Sequence, residues 1–530
     1  MTRRLATALD AVPEFLGMNS RKPAVGIDAR FSPLVSNVTF GESIVESRHG
    51  YSTQGACGSS NCIMSLFEHE TSAGTRYLVA VTSDATDQNS GEVYKYDPGS
   101  ETWVDITPVA GALTGDVTDL VDHVRVFDGS TRRAIFTNGV DVPLVWDASM
   151  ANALALDISD FSGLTIVKSL AFFYNHLIFA NYNDGSWHPQ GIAWTNVNTL
   201  TDWTGGTSGL MTLGDLHGEI LRMLPLGNSL VVYTRDSIGM IHYLGGDYIY
   251  GSDLRVGNVR VASKNSIVDL GPFHVFLGED NFYLFDGSMN VRAIGDDIAD
   301  DLRDTVDLET IRRCYAADDR INQRVLFFVG SESGKLDKVY VLEYNLSSST
   351  MPFRWSKFEF QDEVSSASTW SRDSALSWAN AKVAADGWDD VDYVWSSTRT
   401  RGGFPGFVYG TAAGEVFLLD DTVWEDSGTA IDSYWQSKDF SIPTIYRSRE
   451  ARWLEVEAEL KGTFATLSYS TDGGTTWTEV STATLASGWD RYRFYFDTSA
   501  QTLRLRVASS SGSRFSLRWL RVWFNPQGGA

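Results

Sequence analysis

The chain has 530 residues, which is enough for about two to four domains. Hydrophobic residues make up 43% of it and aromatic residues 12%, so the composition excludes a disordered protein. Lys and Arg total 43 against 67 Asp and Glu, and the formal net charge of −24 argues against a basic surface that holds nucleic acid by releasing counter-ions. No stretch approaches the ~18 apolar residues of a membrane span, and the first 20 residues lack the apolar run of a signal peptide. We therefore expect a soluble, acidic protein made inside the cell, without stable membrane insertion.

We expect residues 1–50 to form an extended N-terminal segment. After it, runs of alternating apolar residues joined by turns of Asp, Gly, Asn or Ser recur along the chain. Residues 91–106 are the clearest case, and residues 134–147 place an Asn138-Gly139 hairpin turn between two such runs. Further versions occupy residues 170–196, 229–246, 274–287, 338–356 and 406–421.

Successive units lie about 40–60 residues apart, which is within or somewhat above the size of a four-stranded propeller blade. The repetition predicts a β-propeller-like domain of about six or seven units over residues 51–431. The alternative is a set of hairpins in β-sandwiches without a closed ring.

Two stretches interrupt this repetition. Residues 296–315 place Ile298, Leu302, Val306 and Ile311 at near-helical spacing, with acidic residues early and arginines late. That order suits the helix dipole and predicts one or two short amphipathic helices. Residues 365–395 are rich in Ser, Ala, Trp and Asp and are expected to form a long loop.

The pattern changes near residue 432 to long alternating strands, which predict a separate C-terminal β-sandwich over residues 432–530. The predicted fold class is therefore all-β, with a β-propeller-like domain followed by a C-terminal β-sandwich. Within the strands, we expect Trp103, Trp146, Tyr283 and Phe285 to be buried packing residues.

The sharpest local motif is S-T-D-G-G-T-T-W at residues 470–477, which fits the Asp-box pattern of sialidase-type propellers. We expect a structural hairpin turn in which Asp472 accepts hydrogen bonds from backbone N–H groups and Trp477 packs beneath. Residues 330–335 (GSESGK) are one residue short of a phosphate-binding loop and lack its Ser or Thr. Asp84, Asp87 and Asn89 lack the spacing of a calcium loop.

Cysteine and histidine residues give no sign of a metal or catalytic site. Cys57 and Cys62 form a C-x4-C pair without a second pair, and together with Cys314 they are too few for a disulfide framework, so buried thiols are expected. His176, His242 and His274 lie in strand runs and are expected to be structural and hydrogen-bonded, as in most buried histidines. We therefore predict no catalytic, cofactor-binding or metal-binding residues and a protein that is not an enzyme, although a glycosidase carboxylate pair leaves no sequence signature.

The order of segments carries more information than any single motif. An extended segment ends in an Asn at residues 34–37, and an Arg-x-Gly follows at Arg48-His49-Gly50-Tyr51. A strand with an Asn-Gly turn comes at residues 135–146, and an A-W-T-N segment at residues 193–196 precedes Asp202-Trp203.

The middle of the chain continues the same order. Residues 230–243 (LVVYTRDSIGMIHY) lead through Gly245-Gly246 and residues 264–268 to residues 275–278 (VFLG) and 282–287 (FYLFDG). In this order, over about residues 30–300, the chain resembles the tail nozzle proteins of tailed bacteriophages, also known as packaged-DNA stabilisation proteins or tail tubular protein B.

The resemblance implies a structural virion protein with a β-propeller, located in the tail and assembled in the host cytoplasm. Six copies are expected to form a homo-oligomeric, hexameric ring around the DNA channel, which docks onto the tail adaptor and other tail or fibre proteins. The ring retains the genome and then passes it, without sequence-specific DNA binding and without a cofactor. An acidic channel wall would keep DNA mobile, and abundant aromatic residues would suit subunit interfaces.

Two other classes of protein remain open. One is a receptor-binding, carbohydrate-binding or polysaccharide-depolymerising propeller, for which Trp187, Trp194 and Trp203 are the candidate binding residues. The other is a structural adhesin module of cellular origin, which would need a secretion signal.

Overall fold

The computed structural model describes residues 7–8, 12, 14–58, 60–83, 90–97, 100–246, 248–307, 309–331, 334–345, 353–371, 405–441, 450–510 and 512–527. The protein is all-β, with 55% strand and 3% helix, and nearly every strand pair is antiparallel. The predicted all-β class is confirmed.

The N-terminal segment consists of short strands, four of which pair with distant parts of the chain. Its strands are β1 Thr7–Ala8, β2 Gly17–Met18, β3 Phe31–Ser32, β4 Val35–Ser36, β5 Val38–Thr39, β6 Val45–Ser47 and β7 Gly50–Ala56. A 3₁₀ turn at Gly41–Ser43 joins β5 to β6.

The next part of the chain forms seven consecutive antiparallel sheets. Sheet 1 has β8 Cys62–Glu70, β9 Arg76–Ser83, β10 Val93–Asp97 and β11 Thr102–Asp105; sheet 2 has β12 Asp122–Phe127, β13 Arg132–Thr137, β14 Leu144–Trp146 and β15 Leu154–Ala155. Sheet 3 has β16 Ile166–Phe173, β17 His176–Asn183, β18 Trp187–Trp194 and β19 Gly209–Thr212; sheet 4 has β20 Ile220–Leu226, β21 Ser229–Thr234, β22 Ser237–Tyr243 and β23 Tyr250–Gly257. Sheet 5 has β24 Ile267–Asp269, β25 His274–Leu277, β26 Phe282–Phe285 and β27 Arg292–Ala293; sheet 6 has β28 Tyr315–Asp319, β29 Arg324–Val329, β30 Lys338–Glu343 and β31 Arg354–Glu359.

Sheet 7 combines strands from the two ends of this region. From the later part it has β32 Val364–Ser371, β33 Pro405–Thr411, β34 Glu415–Asp420, β35 Glu425–Asp426 and β36 Thr429–Ala430. Strand β7 of the N-terminal segment inserts between β34 and β35, antiparallel to β34. Hydrogen bonds of this sheet therefore join residues more than 360 positions apart.

Each neighbouring pair of sheets shares one cluster of buried hydrophobic side chains. Representative members are Phe67 and Phe136 for sheets 1 and 2, Val145 and Phe179 for 2 and 3, Ile178 and Leu230 for 3 and 4, Tyr233 and Phe276 for 4 and 5, Val275 and Phe327 for 5 and 6, Phe328 and Tyr409 for 6 and 7, and Leu66 and Trp370 for 1 and 7. The first strands of successive sheets are also in contact, and β32 contacts β8. The order of contacts thus returns to sheet 1.

The C-terminal part adds two six-stranded sheets. Its strands are β37 Ser433–Gln436, β38 Phe440–Ser441, β39 Glu450–Gly462, β40 Phe464–Ser470, β41 Thr478–Thr484, β42 Asp490–Ala500, β43 Thr502–Ser509 and β44 Phe515–Gln527. One sheet has the order β42-β39-β44-β6-β5 with β1 on β44, and the other has β4-β37-β43-β40-β41 with β38 on β43. N-terminal strands therefore complete both sheets, which share a hydrophobic cluster with sheets 5 and 6.

The predicted helices in residues 296–315 are confirmed as one short α-helix, α1 at Ala299–Thr305, and a 3₁₀ turn at Ile311–Arg313. A third 3₁₀ turn lies at Lys264–Ser266. The predicted loop over residues 365–395 is wrong at its start, because Val364–Ser371 is strand β32, which hydrogen-bonds with β33; residues 372–395 lie outside the described residues.

Two of the four predicted core residues are fully buried, Trp146 and Phe285. Trp103 and Tyr283 are only half-buried, so that prediction is wrong for them. Trp103 lies on the outermost strand of sheet 1, where its Nε1 donates to the carbonyl of Gln54 at 3.1 Å. The Tyr283 hydroxyl donates to Asp280 at 2.9 Å, which keeps the ring at the surface.

Candidate functional site

A cavity, which we call the central cavity, lies where the first strands of several sheets begin. It has a volume of about 430 Å³ and takes lining residues from the segments that precede or open β12, β16, β20, β24 and β28. The turns β13–β14 and β21–β22 contribute Gly139 and Arg235. Five neighbouring sheets thus converge on one cavity, which has the size of an ordinary ligand site.

Cationic side chains outnumber acidic ones in this cavity. The cationic lining residues are Lys168, Arg235, Lys264, Arg312 and Arg313, and the acidic ones are Asp119, Glu219 and Glu309. This is the reverse of the whole chain, where acidic residues outnumber basic ones by 67 to 43. The cavity is therefore electrostatically distinct from the rest of the protein.

Beneath the cavity, Arg222 and Asp122 form a polar layer. The Asp122 carboxylate accepts hydrogen bonds from Ser169 Oγ and from the backbone N–H of Leu170, both at 3.0 Å, and lies 4.0 Å from Arg222 Nε. Arg222 donates to the carbonyl of Lys264 at 3.2 Å. Asp122 is thus already occupied by partners on its own sheet and its neighbours.

A second feature is the buried junction around Asn37 and Arg48. Arg48 donates from Nη1 to Asp426 Oδ1 at 3.0 Å and from Nη2 to the other oxygen of that carboxylate, so the pair is bidentate. Arg48 Nε donates to Asn37 Oδ1 at 2.9 Å. Asn37 in turn accepts from the Glu359 N–H at 2.9 Å and donates to the Asp432 carbonyl at 2.8 Å. The network joins the N-terminal segment to sheets 6 and 7 and to the C-terminal part.

Gly50 completes this junction. A Cβ atom at this position would lie 2.1 Å from the carbonyl oxygen of Glu425, so only glycine lets β7 approach the neighbouring strand β35. The Arg-x-Gly at residues 48–50 is thus an architectural motif. A further cavity of about 330 Å³ lies beside it and is lined in part by Arg48, Arg324 and Glu343.

A third feature is an exposed aromatic surface, which we call the tyrosine patch: Tyr174, Tyr243, Leu244 and Tyr248. Tyr174 and Tyr243 stack with ring centroids 4.4 Å apart, and Tyr248 is 78% exposed. Tyr174 has φ 49° in the two-residue turn between β16 and β17, a left-handed conformation that is unfavourable for a bulky residue. The turn thus holds an aromatic side chain outward.

The histidines predicted to be structural are hydrogen-bonded, as expected. His176 Nδ1 pairs with the carbonyl of Thr195 at 2.6 Å, and His274 with the Tyr233 hydroxyl and the Pro225 carbonyl. His242 lies between Ser229 and Asp253. These contacts occupy both ring nitrogens of His242 and His274.

The three cysteines are buried free thiols, which confirms that prediction. Burial raises the pKa of Cys57 and of Cys314 to about 12, so neither is a reactive thiolate at neutral pH. Among the described residues, no group of three or more His, Cys, Asp or Glu side chains is arranged to hold a metal ion. Asp84, Asp87 and Asn89 lie outside the described residues, as do Glu332 and Ser333 of the GSESGK segment.

The Asp-box turn has the predicted geometry. Asp472 Oδ1 accepts from the N–H groups of Thr475 at 3.0 Å and Thr476 at 2.9 Å, and Gly473 and Gly474 both have positive φ. A hydrogen bond from the Thr476 hydroxyl at 2.6 Å, together with these backbone bonds, holds the pKa of Asp472 well below its usual range. Trp477 is half-buried, with the Arg506 guanidinium 5.8 Å from its ring centroid.

The three tryptophans named for a carbohydrate site differ in exposure. Trp194 and Trp203 are buried, and Trp194 Nε1 donates to the carbonyl of Thr207 at 2.8 Å. Trp187 is 40% exposed, and Lys168 Nζ lies 4.8 Å from its ring centroid. Only Trp187 is therefore available for contact with a ligand.

No family model matches the chain, and no curated protein matches it significantly. No helix in the described part of the chain is long and apolar enough to cross a membrane.

The central cavity was missed by sequence reasoning. Its lining residues come from eight separate stretches of the chain, and no sequence pattern assigns them to a common site. Nothing in the spacing of Lys168, Lys264 and Arg312 along the chain indicates that they meet.

Proposed function

We propose that this chain is a structural subunit of a bacteriophage tail, a nozzle-like component of a six-membered ring that surrounds the DNA channel. The observation that carries the proposal is the buried junction. Asn37, Arg48 and Gly50 belong to the segment order that resembles nozzle proteins, and each has an architectural role. A subunit of a ring that retains a packaged genome must resist deformation, and residues that connect three parts of its chain by buried contacts provide that resistance.

The proposed architecture is a seven-bladed β-propeller whose last blade takes a strand from the N-terminal segment, followed by a C-terminal β-sandwich. Support comes from the seven shared hydrophobic clusters, whose order returns to sheet 1, and from β7 lying beside β34. Joining the ends of the region within one sheet removes an exposed edge and resists opening of the ring.

The tyrosine patch is the proposed contact between neighbouring subunits. Exposed aromatic residues are enriched at protein interfaces, and the turn holds Tyr174, stacked on Tyr243, at the surface. Repeated contacts between unlike surfaces close into rings when the rotation between subunits allows it. The net charge of −24 would then leave the channel wall repulsive to DNA phosphates.

Mass spectrometry and a whole-particle reconstruction of the encoding phage test this role. We expect six copies of the chain at the distal end of the tail, on the DNA axis. Absence of the chain from virions, or its presence as a trimeric spike away from that axis, would overturn the proposal.

The interface is tested by complementation with variant chains. Tyr174→Asp combined with Tyr248→Asp should abolish incorporation into tails, because charge at the contact opposes burial. Tyr495→Asp, at a tyrosine on β42 whose exposure lies between those of Tyr174 and Tyr248, serves as the control and should assemble normally. Equal incorporation of both variants would place the contact elsewhere.

A second candidate function is carbohydrate binding, which the exposed Trp187 beside Lys168 favours. It requires binding to a surface polysaccharide that Trp187→Ala abolishes. Buried Trp194 and Trp203 give it no further support.

A further inference from the structure

The central cavity contains cations that the protein itself does not neutralise. Arg235 and Lys168 share Glu219, at 3.2 and 3.9 Å, and Arg313 pairs with Glu363 at 3.0 Å. By contrast, Lys264 and Arg312 have no carboxylate within ion-pair distance in the described part of the chain.

The Lys264 ammonium contacts a backbone carbonyl rather than a counter-ion. Its ammonium donates one hydrogen bond, to the carbonyl of Lys168 at 3.3 Å. The buried Asp122, which acts on Lys264 only through its charge, already accepts hydrogen bonds from Ser169 and Leu170 and lies beside Arg222. Burial lowers the pKa of Lys264 to about 8, which is the expected consequence of a cation without a close negative partner.

Arg312 supplies the second unmatched charge. It lines the same cavity, is exposed, and makes no hydrogen bond or ion pair with any residue that the structure describes. A guanidinium whose N–H donors have no partner in the protein is suited to bind a tetrahedral or planar oxyanion through two parallel hydrogen bonds.

We propose that the central cavity binds a phosphate group, with Lys264 and Arg312 as its principal partners. Two unmatched cations match the two charges of a terminal phosphate. The volume of about 430 Å³ exceeds that of the group itself, so a phosphorylated molecule fits. Asp119, Glu219 and Glu309 also line the cavity and would repel further negative charge, so we expect the cavity to hold a single terminal phosphate, with the rest of a longer molecule outside it.

The phosphate has two chemical sources: a small free phosphate compound, or the terminal phosphate of a nucleic acid strand. This site is independent of the proposed tail role, since binding by the isolated chain does not require a ring. Isothermal titration of the full chain with inorganic pyrophosphate and with a 5′-phosphorylated DNA tetranucleotide distinguishes the sources. Binding of pyrophosphate alone indicates the first source, and binding of the oligonucleotide indicates the second.

Lys264→Met combined with Arg312→Ala should weaken binding of either probe at least tenfold. Lys95→Met and Arg518→Ala are the matched controls, because they remove a half-buried lysine and an exposed arginine away from the cavity, and should leave affinity unchanged. If circular dichroism shows that loss of Lys264 impairs folding, Arg312→Ala alone tests the proposal, because the Arg312 side chain is exposed. This variant should weaken binding at least threefold. Absence of binding of both probes to the unaltered chain, unchanged affinity in the cavity variants, or equal loss in the controls would overturn the proposal.

Discussion

The seven sheets and the two C-terminal sheets bury their strands in different ways. In β29 all six residues of RVLFFV are buried, and Leu326 and Phe327 belong to different hydrophobic clusters on opposite faces of sheet 6. In β43 the residues of TLRLRVAS alternate between half-buried and buried. The strands of a sheet covered on both faces have continuous apolar sequences. In a sheet with one solvated face, the strand sequences alternate between apolar and polar residues.

The largest expected effects test this difference directly. Leu326→Ala should cost about 2–5 kcal/mol and Phe327→Ala about 3–5 kcal/mol, because each leaves a cavity on its own side of the sheet. In β40, Leu467→Ala should cost about 2–5 kcal/mol, whereas Thr466→Ala at the adjacent half-buried position should cost less than about 1 kcal/mol. Urea unfolding measures all four. A small effect at either Leu326 or Phe327 would show that only one face of sheet 6 is packed.

The next effect concerns ion pairs. Arg48→Met leaves the buried Asp426 without a partner and should destabilise the protein by about 3–5 kcal/mol. Combining it with Asp426→Leu should restore part of that loss, since no buried charge then remains. The exposed Arg452–Asp497 pair on the C-terminal sheets provides the comparison: Arg452→Met should not change the urea midpoint measurably. Equal losses at the two sites would contradict a specific role for the junction.

The smallest effect is a dependence on pH that should be confined to the seven-sheet region. All eight histidines lie at or before residue 274, so the C-terminal sheets have none. Burial lowers the pKa of His69 to about 4 and of His123 to about 3, below the ordinary value near 6.5. Between those values the unfolded chain binds protons that the folded chain does not, so stability should fall as pH decreases from about 6.5 towards 3–4.

Urea midpoints measured between pH 7 and pH 4 check this dependence, and His123→Gln should reduce its slope. Asp318 and Glu343, whose pKa values burial raises, take up protons first in the folded protein and act in the opposite direction. Hydrogen exchange, corrected for intrinsic pH effects, should show the loss of protection in sheets 1 and 2. A stability that stays constant down to pH 4 would contradict the assignment of neutral buried histidines.

Sequence reasoning succeeded where the relevant physics is local. The hairpin at residues 91–106, the Asp472 turn and the short helix after Ile298 were all predicted, because each depends on side chains and backbone groups a few residues apart. It failed at Trp103 and Tyr283, since alternation does not distinguish an outermost strand from an inner one. Strand β32 was mistaken for a loop because its Ser-rich, Ala-rich sequence has low intrinsic strand preference, and packing against β8 and β33 overrides that preference.

The sequence by itself determined the all-β class, the succession of hairpins and the change to longer alternating strands near residue 432, since alternation and turn residues act within a few positions. Only the tertiary structure decided which strands share a sheet. Strand β7 pairs with β34, and β6 pairs with β44. The sequence does not specify these pairings, because hydrogen bonds between strands are formed by backbone groups that every residue type carries. The same applies to the cationic cavity: Lys264 and Arg312 lie 48 positions apart and meet only because successive sheets bring their first strands together.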